Sequence, residues 1–152
     1  MIKDVSIHKT TYAGLPHKFE AGTPNIAGVI AFKNAIEFIK DIGVKNMKDH
    51  EDSLLKYATL KLENIPNLSI IGSAAKKSGI ISFIISDIHH YDLGLILDKL
   101  GVAIRTGHHC TQPVMKKMNI SGTSRISFAC YNTKTELDYT VDCIKKAIKM
   151  LS

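Results

Sequence analysis

The sequence predicts a small α/β domain in which a largely antiparallel sheet is packed with helices. Three observations carry this reading. Apolar residues recur at helical spacing in several long segments, short β-branched runs bounded by glycine lie between them, and the two kinds of segment are interspersed along 152 residues. Apolar residues make up 45% of the chain and charged residues 22%, the balance of a globular domain able to bury a core without disulfides or metal. No apolar run approaches the roughly 18 residues of a membrane span, and no basic-then-apolar leader opens the chain.

Each element has its own justification. Gly14-Leu15-Pro16 and Gly22-Thr23-Pro24 make the first 25 residues extended and loop-like. From Pro24 to Ile42 the apolar residues Ile26, Val29, Ile30, Ile36 and Ile39 follow helical spacing, and Ala31, Phe32, Ala35 and Phe38 fill other faces. A helix apolar all round is buried on several sides or joins two bodies. A second helix over about Met47 to Glu63 carries the stripe Leu54, Ala58, Leu62 and Ile65 and ends at Ile65-Pro66-Asn67. Leu68–Ile71 and Gly79–Ile85 read as strands. Leu93, Ile96, Leu97 and Leu100 form a short amphipathic helix closed by Gly101, and Val102–Arg105 reads as a strand. A loop from Thr106 to Pro113 leads into a short helix through Lys117. Ser124–Ala129 alternates, with Ile126 and Phe128 on one face and Arg125 and Ser127 on the other. Thr133-x-x-Glu136 is a capping box. It opens a last helix with Leu137, Val141, Ile144, Ile148 and Leu151 on one side.

The chemistry concentrates in Arg105-Thr106-Gly107-His108-His109-Cys110. Cys110 lies in a polar, glycine-containing loop, after two imidazoles and five residues beyond an arginine. Cationic neighbours favour the nucleophilic thiolate. The bland alternative is a buried cysteine in a turn. The chain has three cysteines, an odd count without a C-x-x-C pair, so free thiols in a reducing compartment are expected. Cys130 and Cys143 read as core, and His89-His90 as a polar turn. Adjacent His108, His109 and Cys110 lack tetrahedral ligand spacing, and no metal site is expected. Arg125, on a strand with an apolar other face, needs an anion, either a carboxylate ligand or a structural acid. Gly22-Thr23-Pro24-Asn25 precedes a helix and could hold a phosphate or merely cap it.

Taken together, Phe19-Glu20-Ala21-Gly22-Thr23-Pro24-Asn25, the Arg-x-Gly-His-His-Cys run ending at Cys110, and Arg125 followed by Tyr131-Asn132-Thr133 resemble the C-terminal part of SufS-type cysteine desulfurases. These are pyridoxal-phosphate enzymes of the class V aminotransferase group. The resemblance covers essentially the whole chain, and the wording of the cysteine loop resembles the SufS-like rather than the NifS/IscS-like group. Thr111 departs from the alanine often found there.

The resemblance implies the small C-terminal domain of the class V aminotransferase fold over 44–152, preceded by a segment of the large cofactor domain over 1–43. It implies that Cys110 takes sulfur from L-cysteine as a persulfide, leaving L-alanine. Arg125 would bind the substrate carboxylate, Arg105 would help orient the cysteine loop, and Thr23 with Gly22 would reach the cofactor phosphate of the opposite subunit in a homodimer. Pyridoxal 5'-phosphate is the implied cofactor, but nothing here resembles the Schiff-base lysine's His-Lys context. The isolated chain is therefore expected to be inactive, as a fragment or as half of a split enzyme. The implied setting is cytoplasmic sulfur supply for iron–sulfur cluster assembly, with an acceptor of the SufE/SufU type. The alternatives are a non-catalytic module docking that acceptor and a Cys-His hydrolase, for which an adjacent histidine is poorly placed. The net charge of +6 comes from scattered lysines without tryptophan, so no nucleic-acid partner is expected.

Overall fold

The computed structural model describes residues 1–152. The chain divides into two compact units, Met1–Gly43 and Val44–Ser152.

The first unit is a hairpin, a turn and a helix. Strands β1 (Ile2–Val5) and β2 (Thr10–Tyr12) pair antiparallel with a register shift near Asp4, and a 3-10 turn spans His17–Phe19. The first 25 residues read as extended and loop-like; the two strands are extended, and their pairing as a hairpin is what that reading lacks. The hairpin has no apolar alternation because neither face is covered, so the period-2 signal is missing. Helix α1 (Ile26–Ile42) starts after Asn25, whose side chain accepts the Gly28 N–H at 3.0 Å. Gly43, at φ 85°, closes it. Ile26, Val29, Ile30, Phe32 and Phe38 are exposed, and the unit contains no buried residue. Of the two readings of this helix, burial on several sides or a join between two bodies, the first is not met by the residues of this chain.

The second unit has a core. Helix α2 (Val44–Glu63) buries Leu54, Leu55, Ala58 and Leu62. Strands β3 (Leu68–Ile71), β4 (Ile80–Ile85), β5 (Arg105–Gly107) and β6 (Thr123–Ser127) form one antiparallel sheet in the order β3-β4-β6-β5. Ile81, Phe83, Ile85 and Ile126 are buried in one cluster with Leu93 and Leu97 of α3 (His90–Lys99) and with α2 and α5 (Lys134–Leu151). α5 buries Leu137, Val141, Ile144 and Ala147, and its capping box is made in both directions. Across the α2–α5 contact the Tyr57 hydroxyl donates to Asp138 at 2.8 Å. Helix α4 (Gln112–Lys117) follows the cysteine loop.

Three local readings change. The predicted strand Val102–Arg105 is displaced: the ladder starts at Arg105 and runs to Gly107, because β6 offers its partners there, Arg125 to Arg105 and Thr123 to Gly107. α2 begins three residues earlier than its apolar stripe suggests, at Val44. Cys143 is core, but Cys130 lies beyond the end of β6 and is only half-buried.

Candidate functional site

The antiparallel register builds the site. On β6 the residues facing away from the main core are Thr123, Arg125 and Ser127, since Ser124 and Ile126 face the Phe83 and Ile81 side. Arg125 stands directly opposite Ser82 on β4 and opposite Arg105 on β5. Two guanidiniums on neighbouring strands at one register position repel each other. No carboxylate comes within ion-pair distance of either arginine, and the buried Nε of Arg125 has no hydrogen-bond partner. A paired acid would make this a structural ion pair. Without one, the two forks form a cationic row suited to a ligand carboxylate or another anion.

The cysteine loop leaves the end of β5 and brings Cys110 back to Arg105. Arg105 Nη2 is 3.9 Å from Cys110 Sγ. His109 and Cys110 both have left-handed backbones, with φ 52° and 59°. For residues with a Cβ that conformation costs about 1–2 kcal/mol each, so the surrounding contacts must hold it. The Cys110 N–H donates to His108 Nδ1 at 3.2 Å and the Thr111 N–H to the His108 carbonyl at 2.9 Å. The resulting turn leaves Cys110 exposed and His109 half-buried.

His109 Nε2 lies 2.8 Å from Thr123 Oγ1 and 3.2 Å from the Thr123 carbonyl. Burial, then the positive charge of Arg125 and to a lesser degree of Arg105 and His108, holds the His109 imidazole below its usual range, and the Thr123 backbone contact opposes this in part. His90 is likewise lowered, by burial and by the neighbouring His89 and His109, against contacts to Ser121 and Asp92 that raise it. Its ring packs on Gly122, where a Cβ would come within 2.4 Å of His90 Nε2 and 2.8 Å of the Gly107 backbone. A cavity of about 390 Å³ beside His89 and His90 is lined also by Asp87, Asn119 and Ser121, and not by Arg105, Cys110 or Arg125. No three His, Cys, Asp or Glu side chains are grouped to hold a metal ion.

Of the residues singled out from sequence, the structure brings Cys110, Arg105 and Arg125 into one cluster in the second unit. Gly22, at φ 73°, and the exposed Thr23 belong to the first unit, where Asn25 rather than Thr23 caps α1. Thr123 and His90 were not selected from sequence. The one signal for Thr123 was a β-branched residue between Gly122 and the alternating strand. His90 shows its environment only through contacts to residues far along the chain.

A lysine-bound cofactor would need a lysine in this cluster. Its side chains are two arginines, two histidines, a threonine and a cysteine, so the second unit's residues fit an amino-acid carboxylate and a thiol but do not fit the whole group.

The aminotransferase class-V family model matches residues 1–140. A cysteine desulfurase of Wigglesworthia glossinidia brevipalpis is 44% identical over 152 residues, covering 99% of this chain and 37% of that protein. A probable cysteine desulfurase of Streptomyces coelicolor is 44% identical over 144 residues, covering 93% of this chain and 34% of that protein. The crystal structure of the cysteine desulfurase CsdA of Escherichia coli matches with a TM-score of 0.89 at 34% identity, over 100% of this chain and 38% of that one. The apo cysteine desulfurase of Thermococcus onnurineus NA1 matches with a TM-score of 0.86 at 36% identity, over 99% of this chain and 38% of that one. The chain thus spans little more than a third of the length of these relatives.

Proposed function

Because the chain belongs to the aminotransferase class-V family, we propose that it is the C-terminal part of a SufS-like cysteine desulfurase, in which Cys110 receives the sulfur of L-cysteine as a persulfide and L-alanine is released. The observation that carries this reading is the Arg105–Arg125 pair without an acid, with the exposed Cys110 thiol 3.9 Å from Arg105. The similarity to cysteine desulfurases supports it from outside the site.

Each residue then has a role. Arg125 binds the substrate α-carboxylate through its planar fork. Arg105, 3.9 Å from the Cys110 sulfur, holds the cysteine loop over the substrate. Cys110 is the nucleophile toward sulfur and afterwards its carrier. Pyridoxal phosphate, held by a lysine outside these 152 residues, would supply the electron sink that breaking a carbon–sulfur bond needs. Thr23 and Gly22 belong to the phosphate end of that site, contributed across a homodimer. Residues 1–43 are a segment of the large domain, whose remainder covers the apolar surface of α1. The 152 residues alone do not turn over cysteine. In the cell the persulfide passes to a SufE/SufU-type acceptor in the cytoplasm, for iron–sulfur cluster assembly.

The test is reconstitution. The chain is mixed with the separately produced N-terminal remainder of the Wigglesworthia relative, pyridoxal phosphate and L-cysteine, and alanine is measured. Alanine should form only when both parts are present, and should disappear with Cys110→Ser and with Arg125→Ala. Turnover that survives Cys110→Ser, or turnover by the chain alone, overturns the proposal.

A further inference from the structure

We infer that His109 is a positioning residue: its neutral imidazole, bonded to Thr123, latches the cysteine loop to the strand that carries Arg125. The inference rests on the reading of Cys110 as the sulfur carrier. Apart from the Arg105 contact, the hydrogen bonds of residues 108–111 are local to the loop and the start of α4. The side chain of His109 is the exception, reaching 14 residues along the chain to Thr123.

The carbonyl contact and the unpartnered Nδ1 together favour the Nε2–H tautomer. A carbonyl oxygen only accepts, so a hydrogen bond at 3.2 Å to the Thr123 carbonyl uses a proton on Nε2. Nε2–H is then shared between the carbonyl and the hydroxyl, and the buried Nδ1, without a partner, keeps a lone pair. A neutral ring suits a site already flanked by two arginines, where a third cation would be repelled. Thr123 is 1% exposed and two residues from Arg125 on the same face of β6. The latch therefore ends on a fixed point beside the carboxylate-binding arginine. It also holds the loop through two successive left-handed residues, turning His109 inward and Cys110 outward.

The full chain tests this without a cofactor. Alkylation of Cys110 by anionic iodoacetate and by neutral iodoacetamide is followed by peptide mass spectrometry at low ionic strength. The ratio of the two rates, divided by the same ratio in the urea-unfolded chain, reports the positive field at the thiol. One unit charge near 4 Å in water gives a factor of about five. The wild type should show about that preference, Thr123→Ser should retain it, Thr123→Val, which keeps the backbone carbonyl, should lose part of it, and His109→Phe should lose at least half of it. Equal preference in His109→Phe and the wild type overturns the latch. A wild type with no anion preference overturns instead the cationic-site reading beneath it. Ring-nitrogen NMR of the unmodified chain at pH 7 gives a second decision independent of any variant. A neutral Nε2–H ring at His109 supports the latch, and a cationic or Nδ1–H ring overturns it.

Discussion

Arg125→Met should stabilise the chain while removing its carboxylate site. In the absence of an anion, Arg125 has an orphaned buried Nε and faces Arg105 directly across the ladder. An unsatisfied buried donor costs about 1–3 kcal/mol, and like charges at opposed strand positions cost up to about 1 kcal/mol. Arg125 is half-buried, so part of its guanidinium is solvated and the lower ends apply. Methionine keeps an unbranched apolar stem in the same space and removes both penalties. The expected gain is about 1–2 kcal/mol, at roughly 2–4 °C in Tm per kcal/mol for a chain of about 150 residues. The assay is urea unfolding followed by far-UV circular dichroism in a buffer free of carboxylates. Most substitutions destabilise, so a gain is a discriminating result. A loss of about 1 kcal/mol or more would refute the reasoning, because it would mean that Arg125 has a stabilising partner in the folded chain.

Three further outcomes follow from local geometry. Thr133→Ala breaks the capping box with Glu136 and should cost about 1 kcal/mol in urea unfolding; an unchanged midpoint would show that α5 does not depend on its cap. Gly122→Ala puts a Cβ against His90 and the Gly107 backbone. It should destabilise by about 1–3 kcal/mol, and His90→Ala should recover only the side-chain share of that cost, which a double-mutant cycle measures. Acid should weaken the fold through His90 and His109, both lowered in the native chain from a usual value of 6.5. Below that value the unfolded chain takes up protons that the native chain refuses, so their contribution is complete above about pH 6.5 and falls as pH drops toward their lower native values. The urea midpoint should fall between about pH 7 and pH 5, and less so in a His90→Gln/His109→Gln chain; equal slopes would remove these two groups from the explanation.

The sequence was most legible where burial imposes a period. The stripe Leu54, Ala58, Leu62 and Ile65 is buried in full, and strand Leu68–Ile71 has the bounds its β-branched run suggested. Legibility failed where pairing rather than burial decides. The hairpin of β1 and β2 is exposed and carries no alternation, and the apolar run Val102-Ala103-Ile104 drew the next strand too early, since ladder partners on β6 begin at Arg105. α1 shows the reverse problem. Its pattern correctly gives a helix, but these 152 residues do not bury its apolar faces. At the site, Arg105 and Cys110 were visible because they lie five positions apart in one short segment, and Arg125 because a charge interrupts an apolar strand. Thr123 and Gly122 become meaningful only through contacts with His109 and His90, which sequence spacing does not encode.

The most direct measurement follows labelled sulfur. In the reconstituted mixture, cysteine carrying heavy sulfur is supplied, the reaction is quenched by alkylation without reductant, and the three cysteine peptides are weighed. A one-sulfur increment bearing the label on the Cys110 peptide, and on neither the Cys130 nor the Cys143 peptide, is the result predicted. Alanine formation with the label absent from Cys110, or placed on Cys130, would contradict the assignment of Cys110 as the residue that carries the sulfur.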